Sequence, residues 1–177
     1  MANEFEVRNW LRDRGAESID HPGGTLLAHL GRVHDRLAAL GADPDLRLAG
    51  LTHAAYGTDG FPVTLLDVAD RGELRVLVGA PAEQLVYRYG GCDRGRTWRA
   101  LATTKTIWSR FTEHADSPTP EDLRAFVDLS IVNELDVHEQ SAETAAKYGE
   151  YFRSVFAGWS TLASPAVLAD AKRVLKF

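Results

Sequence analysis

The chain is poor in sulfur. Its 177 residues include one cysteine, Cys92, and one methionine, Met1. A lone cysteine closes no internal disulfide, and it suits a reducing cytoplasm. Runs of positive charge are missing too. Twenty Lys and Arg stand against 25 Asp and Glu, for a formal net charge of -5. Without a basic block to neutralise phosphates, nucleic acid is not an expected partner. Arg88, Arg94, Arg96 and Arg99 come nearest to a basic patch, and they are too few and too local to change this. No apolar run approaches the ~20 residues that span a bilayer. The opening MANEFEVRNW lacks the layout of a secretion signal. Repeats and low-complexity tracts are absent. The expectation is a cytoplasmic protein that binds neither membrane nor nucleic acid.

What remains is ordinary globular material, 45% hydrophobic and 25% charged. The length suits one domain, residues 1–177, with a single sizeable core. Helical spacing dominates. Phe5, Val7, Trp10 and Leu11 give a short amphipathic helix over Asn3 to Arg14, stopped by Gly15. AESIDHPGG reads as a loop. Thr25 starts a second helix to about Leu40, with Leu26, Leu30, Val33, Leu37 and Leu40 as its stripe. Gly41 ends it, and Asp43-Pro44 opens a third helix to about Ala55. That helix is apolar nearly all round, so it is expected at the centre. Its small Ala49 and Gly50 permit close approach of a neighbour. The joint between these two helices is short enough to make them antiparallel neighbours.

YGTDGFP is a break, and Val63 to Val68 is short and apolar. Asp70 is a candidate cap for a helix to Val78. PAEQLVYRY forms another, closed by Gly90-Gly91. TTKTIWSRF, rich in β-branched and aromatic residues, is one arm of a hairpin or else helix or irregular chain. Three helices close the sequence: Pro120 to about His138 behind the cap Thr119, Ser141 to Ala157, and Pro165 to Lys176.

Four of the six histidines lie between His21 and Thr58. His29 falls within the apolar stripe of the second helix, and His53 on one side of the third. Two imidazoles on inward faces of adjacent helices would face each other. His21 sits in a loop before Pro22. His34, beside Asp35, reads as a solvated margin. Neither His114 nor His138 has an arguable partner. Cys92 reads as packing rather than nucleophile, and the tryptophans and Tyr87/Tyr89 as core, although i, i+2 spacing turns the two tyrosines to different faces.

The run TLLAHL…LAGLTHAAYGT resembles the HD-domain superfamily. The family's first histidine maps onto His29 and its second onto His53. Ala54 stands where the family has the aspartate of its His-Asp pair. Near VNEL, Asn133 and Glu134 stand where a late aspartate is usual. The pattern is more similar to a divergent HD-like group with H-x-x-Y-G-T, here His53-Tyr56-Gly57-Thr58, together with His21 and the pair Asp93-Arg94. The resemblance runs from about Gly15 to Arg94. It implies an all-α, HD-domain-like helical bundle with room for one short β-hairpin, and it names no activity.

Two kinds of chemistry follow. In the leading one, His21, His29 and His53 hold one divalent ion, zinc or iron, and Asn133 or Glu134 completes the shell. Two ions are not expected, because the missing carboxylates would leave two dications uncompensated. His53, Tyr56 and Glu134 would then be catalytic, and Tyr56, Thr58, Asp93 and Arg94 would contact substrate. The protein would be a small-molecule enzyme of hydrolase or oxygenase type. In the second, no cofactor is present. A neutral histidine acts as general base, Asp59 or Glu134 orients it, and Tyr56, Thr58 and the amides near Gly57 stabilise an oxyanion, as in a lyase, isomerase or cyclase. A non-catalytic ligand- or partner-binding protein on a degenerate HD fold is the third alternative. A homo-oligomer is compatible with all three. The bland reading of YGT is a helix terminator with Thr58 capping a turn, and that of Asp93-Arg94 a loop salt bridge.

Overall fold

The structure is a computed structural model in which residues 4–177 are described. The chain divides into two compact units, Met1–Gly91 and Cys92–Phe177. Among the described residues there are ten α-helices and two two-stranded antiparallel hairpins. The fold is therefore all-α with short β-hairpins. None of the described helices is long and apolar enough to cross a membrane.

The first unit begins with α1 (Glu4–Asp13), which buries Val7, Trp10 and Leu11. The expected first position of this helix, Asn3, lies outside the described residues. Next comes a small hairpin, β1 (Asp20–His21) and β2 (Gly24–Thr25), paired Asp20 to Thr25 and His21 to Gly24. The stretch expected as a loop thus carries a hairpin, because four strand residues are too few to show an alternation. Helix α2 (Leu26–Ala39) starts at Thr25, whose side chain accepts from the Ala28 amide, and Leu40 caps its far end. Gly41 follows at φ +79°, the left-handed turn that lets the chain reverse. Asp43 then accepts from the Leu46 amide and starts α3 (Pro44–Thr52).

Helix α3 packs against α1, α2, α4 (Arg71–Val78) and α5 (Ala80–Gly91). Its central place matches its all-round apolar surface. Gly50 marks the tightest approach: a Cβ there would stand 2.5 Å from Leu37 Cδ1 on α2. The helix stops three residues before the expected Ala55. His53 is its C-cap, and its ring turns back to the Gly50 carbonyl. Successive i→i−3 bonds, Ala55 to Thr52 and Gly57 to Ala54, then wind the chain out of the helix. After the break, Asp67 caps a single 3₁₀ turn, Val68–Asp70, that leads into α4.

In the second unit, Asp93 caps the one-turn helix α6 (Arg94–Thr97), and α7 (Leu101–Thr104) follows. Strands β3 (Ile107–Ser109) and β4 (His114–Asp116) form the second hairpin. TTKTIWSRF is thus split, its first residues closing α7 and IWS forming the strand. The long α8 (Pro120–Gln140) is buried on all sides from Phe126 to Asp136. It packs with α9 (Ala142–Gly158) and α10 (Pro165–Leu175). Buried Asp128 of α8 accepts from the Ser164 amide at 2.8 Å and from its hydroxyl, which ties the start of α10 to the middle of α8. Trp98, Phe152, Phe156 and Trp159 form the aromatic core of this unit. The Trp159 indole donates to the Trp98 carbonyl.

Candidate functional site

Three imidazoles meet in the first unit. α2 supplies His29, the C-cap of α3 supplies His53, and β1 supplies His21. His29 and His53 are 1% and 2% exposed. Their Nε2 atoms lie 3.2 Å apart, with the ring planes nearly perpendicular at 84°. His21 stacks on the His29 ring, with centroids 4.0 Å apart and planes 22° from parallel. Phe61 meets His21 edge-on at 5.2 Å, and Tyr89 of α5 meets His53 edge-on at 5.4 Å. Tyr89 is therefore the tyrosine of the pair that looks into the cluster, and only the geometry reveals it.

The second nitrogen of His53 fixes its tautomer. Nδ1 lies 2.7 Å from the Gly50 carbonyl. A carbonyl oxygen only accepts, so Nδ1 carries the proton and donates. In the neutral ring, Nε2 then holds its lone pair toward His29. Metal-bound histidines are held in this way by a hydrogen bond from the distal nitrogen. The pair separation also fits. Two nitrogens bound to one ion at ~2.0–2.1 Å stand roughly 2.9–3.4 Å apart in octahedral or tetrahedral geometry. The same 3.2 Å equally accommodates a direct N–H···N bond from His29 to His53.

Three residues beyond His53, Tyr56 faces a different environment. Its hydroxyl donates to Glu83 Oε1 at 2.9 Å. Glu83, on α5, is fully buried. Arg71 closes on it with Nε to Oε1 at 2.9 Å and Nη2 to Oε2 at 2.8 Å, and its guanidinium lies 3.7 Å above the Tyr87 ring. Burial, and then the Glu83 carboxylate, push the Tyr56 phenol well above the usual tyrosine range. The bond to Glu83 pushes Arg71 up as well. The Tyr56 hydroxyl proton is thus committed to a buried carboxylate. Sequence reasoning missed Glu83 and Arg71. A signal existed for Glu83, which shares the inner face of α5 with Val86 and Gly90 at i+3 and i+7. Nothing in the spacing pointed to Arg71.

Thr58 is a turn residue. Its hydroxyl accepts from the Phe61 amide, and its backbone bridges Phe61. Gly57 sits at φ +68°, where a Cβ would press the Pro62 carbonyl at 3.1 Å. These contacts match the turn-capping alternative for Y-G-T. His34 differs from expectation. It is 8% exposed rather than solvated, because α1 packs against α2. Its Nδ1 lies 2.9 Å from Asp35, and its Nε2 3.7 Å from Glu4. Glu4, His34 and Asp35 place three donor atoms within 4.8 Å of one another. Arg8 bonds Glu4 at 2.8 Å and stands 3.6 Å from Asp35, so this cluster already carries its counter-charge.

The other nominated residues belong to the second unit. Asp93 Oδ1 accepts from the Arg96 amide as the cap of α6, and its other oxygen lies 3.4 Å from the Arg96 guanidinium. Arg94 and Glu134 are partners. Arg94 Nη1 donates to Glu134 Oε1 at 2.8 Å. The Asn133 amide donates to the same oxygen at 2.9 Å. Arg94 also lies 4.9 Å over the Trp98 ring. Burial raises the Tyr151 phenol. Cys92 is buried. His114 is exposed and bonds the Thr112 carbonyl, whereas His138 is half-buried in α8.

Residues 10–94 match the family model of a domain of unknown function, DUF6817. The match covers just under half of the chain. It spans the three clustered histidines, Tyr56, Glu83 and Arg71, and it ends at Arg94, short of Asn133 and Glu134. No curated protein and no solved structure matches the chain.

Proposed function

We propose that this protein is a small-molecule enzyme whose centre is the histidine cluster of the first unit, in a divergent HD-like helical setting. His29 and His53 hold one divalent ion, zinc or iron, and His21, carried on the hairpin, turns in as its third ligand. The observation that carries this reading is the pair of Nε2 atoms 3.2 Å apart, one of them backed by the Gly50 carbonyl through its own Nδ1–H. The donor set is all imidazole and neutral, which suits a single borderline ion rather than a pair. Such an ion supplies Lewis acidity, activating water or polarising a substrate oxygen near neutral pH. The side chains do the rest. Gly50 holds the His53 ring in one tautomer. Phe61 packs against His21, and Tyr89 against His53. His21 is the least buried of the three. Hydrolysis of a phosphate ester, or oxygenation, is the reaction type that the HD resemblance suggests.

Metal analysis of protein purified without a histidine tag tests the proposal. The expected result is a bound zinc or iron that His53→Ala loses and Tyr56→Phe keeps. Protein that carries no ion, and whose melting and turnover chelators leave unchanged, refutes the metal reading. The 3.2 Å contact then favours a second one, a metal-free dyad in which His29 donates its Nε2–H to His53 Nε2 and His29, so oriented, acts as base. Turnover that survives metal removal and dies in His53→Ala supports the dyad. Ligand binding without turnover supports a non-catalytic binder.

A further inference from the structure

His29 and His53 ride on helices, but His21 does not. It lies on a hairpin of two residues per strand, far below the size at which such a ladder holds itself together. The turn is Pro22-Gly23, with Gly23 at φ +81° and Gly24 at φ +126°. Something outside the ladder must hold the ring against His29. Two backbone bonds to the hairpin's flanks contribute: the Leu26 amide donates to the Ile19 carbonyl, and the Leu27 amide to that of Ala16. The turn itself is held by Arg32. Its Nη2 donates to the Pro22 carbonyl at 3.0 Å and its Nη1 to the Gly23 carbonyl at 3.2 Å. One planar guanidinium grips two successive carbonyls, a geometry that lysine cannot reproduce. Arg32 is three residues from His29 on α2, so both project from one face of that helix. That single face meets the hairpin twice, with His29 against the His21 ring and Arg32 against the two carbonyls that follow it.

We propose that Arg32 is the positioning residue for His21, fixing the imidazole in register with the His29–His53 pair. The functional sense of this inference rests on the cluster being an ion site. The positioning itself does not, so the two are tested separately. The first measurement is NMR of the histidine rings in ion-free protein. Stacking on His29 at 4.0 Å gives the His21 ring a ring-current shift. Arg32→Ala is expected to move the His21 signals toward those of a solvated imidazole and to leave the His53 Nδ1–H signal in place. Arg32→Lys, which keeps the charge and one donor direction, is expected to fall between. It also serves in place of the alanine variant should that one not fold.

The second measurement is titration with Zn²⁺ alone against a colorimetric chelator. Loss of a residue that orients a ligand typically costs 10–100-fold in metal affinity. Arg32→Ala is expected to lose about that much, with Arg32→Lys intermediate. His21 signals unmoved in Arg32→Ala overturn the positioning role, whatever the ion does. Moved signals with unchanged Zn²⁺ affinity show that His21 is not a ligand and overturn its place in the ion site. A wild-type protein that takes up no Zn²⁺ overturns the ion reading, and the ring signals then decide the role of Arg32 by themselves.

Discussion

His53 and Tyr56 are three residues apart and buried to the same depth, 2% and 1% exposed, yet they face opposite kinds of company. The Tyr56 hydroxyl completes a set of opposites. A buried carboxylate receives a phenol proton and both prongs of a guanidinium. The His53 ring joins its own kind. Three imidazoles gather, His21 4.0 Å from His29 and His29 5.1 Å from His53 between ring centroids. Depth in the fold does not separate these two polar residues. The nature of their neighbours does. Charges that cancel hold a fold together. The His53 lone pair, turned on a second ring nitrogen, calls for a proton or an ion.

The comparison is broken most severely at Arg71. Arg71→Ala would leave the Glu83 charge buried without its counter-ion, a change that typically costs ~3–5 kcal/mol. Urea unfolding should show the loss. A midpoint within error of the wild type would mean that the tie is not structural. Tyr56→Phe removes one donor from the same carboxylate and should cost about 1–3 kcal/mol, with Zn²⁺ affinity unchanged. A fall in affinity instead would move Tyr56 to the histidine side of the divide. His29→Leu probes the other side. Deleting a polar ring from an apolar stripe is expected to leave stability within about 1 kcal/mol of the wild type, or to raise it, while ion binding is lost. A large destabilisation would show that the histidines are structural.

The smallest effect is expected at His138, a histidine outside the cluster. Its Nδ1 is buried without a hydrogen-bond partner. Burial, with the Arg153 cation beside it, lowers its pKa below the ordinary 6.5. The folded state therefore resists protonation more than the unfolded chain does. Its contribution to stability is full above pH 6.5 and is lost as pH falls toward the lowered value. Unfolding free energy measured at stepped pH should decline across that window, and His138→Gln should flatten the decline. An unchanged slope in the variant would assign the acid sensitivity to other groups.

Much of this was legible in the amino-acid string, because caps and stripes are local. Thr25, Asp43-Pro44 and Thr119-Pro120 start helices where their side chains meet the amides expected of them. His29 and His53 were placed face to face by periodicity and a short joint. The hairpin bearing His21 was not legible, since its hold comes from Arg32 and a pair of carbonyls rather than from strand pattern. The partners of Tyr56 were hidden for a related reason. Glu83 and Arg71 lie 27 and 15 positions away, and charged residues read by default as surface. Glu134 and Arg94 read in the sequence as separate candidates, catalyst and substrate contact, although Arg94 donates to Glu134 across 40 positions. Pairings at such distance leave no trace in spacing.

Gly50 does two jobs with one backbone unit. Its carbonyl sets which nitrogen of His53 bears hydrogen, and its missing side chain leaves the space that Leu37 and Val33 of α2 fill. The gauge between the two rods, and so the bite of any chelate across them, is calibrated by an atom that is not there. Adding back a single methyl would force the Leu37 and Val33 side chains to give way without touching either imidazole.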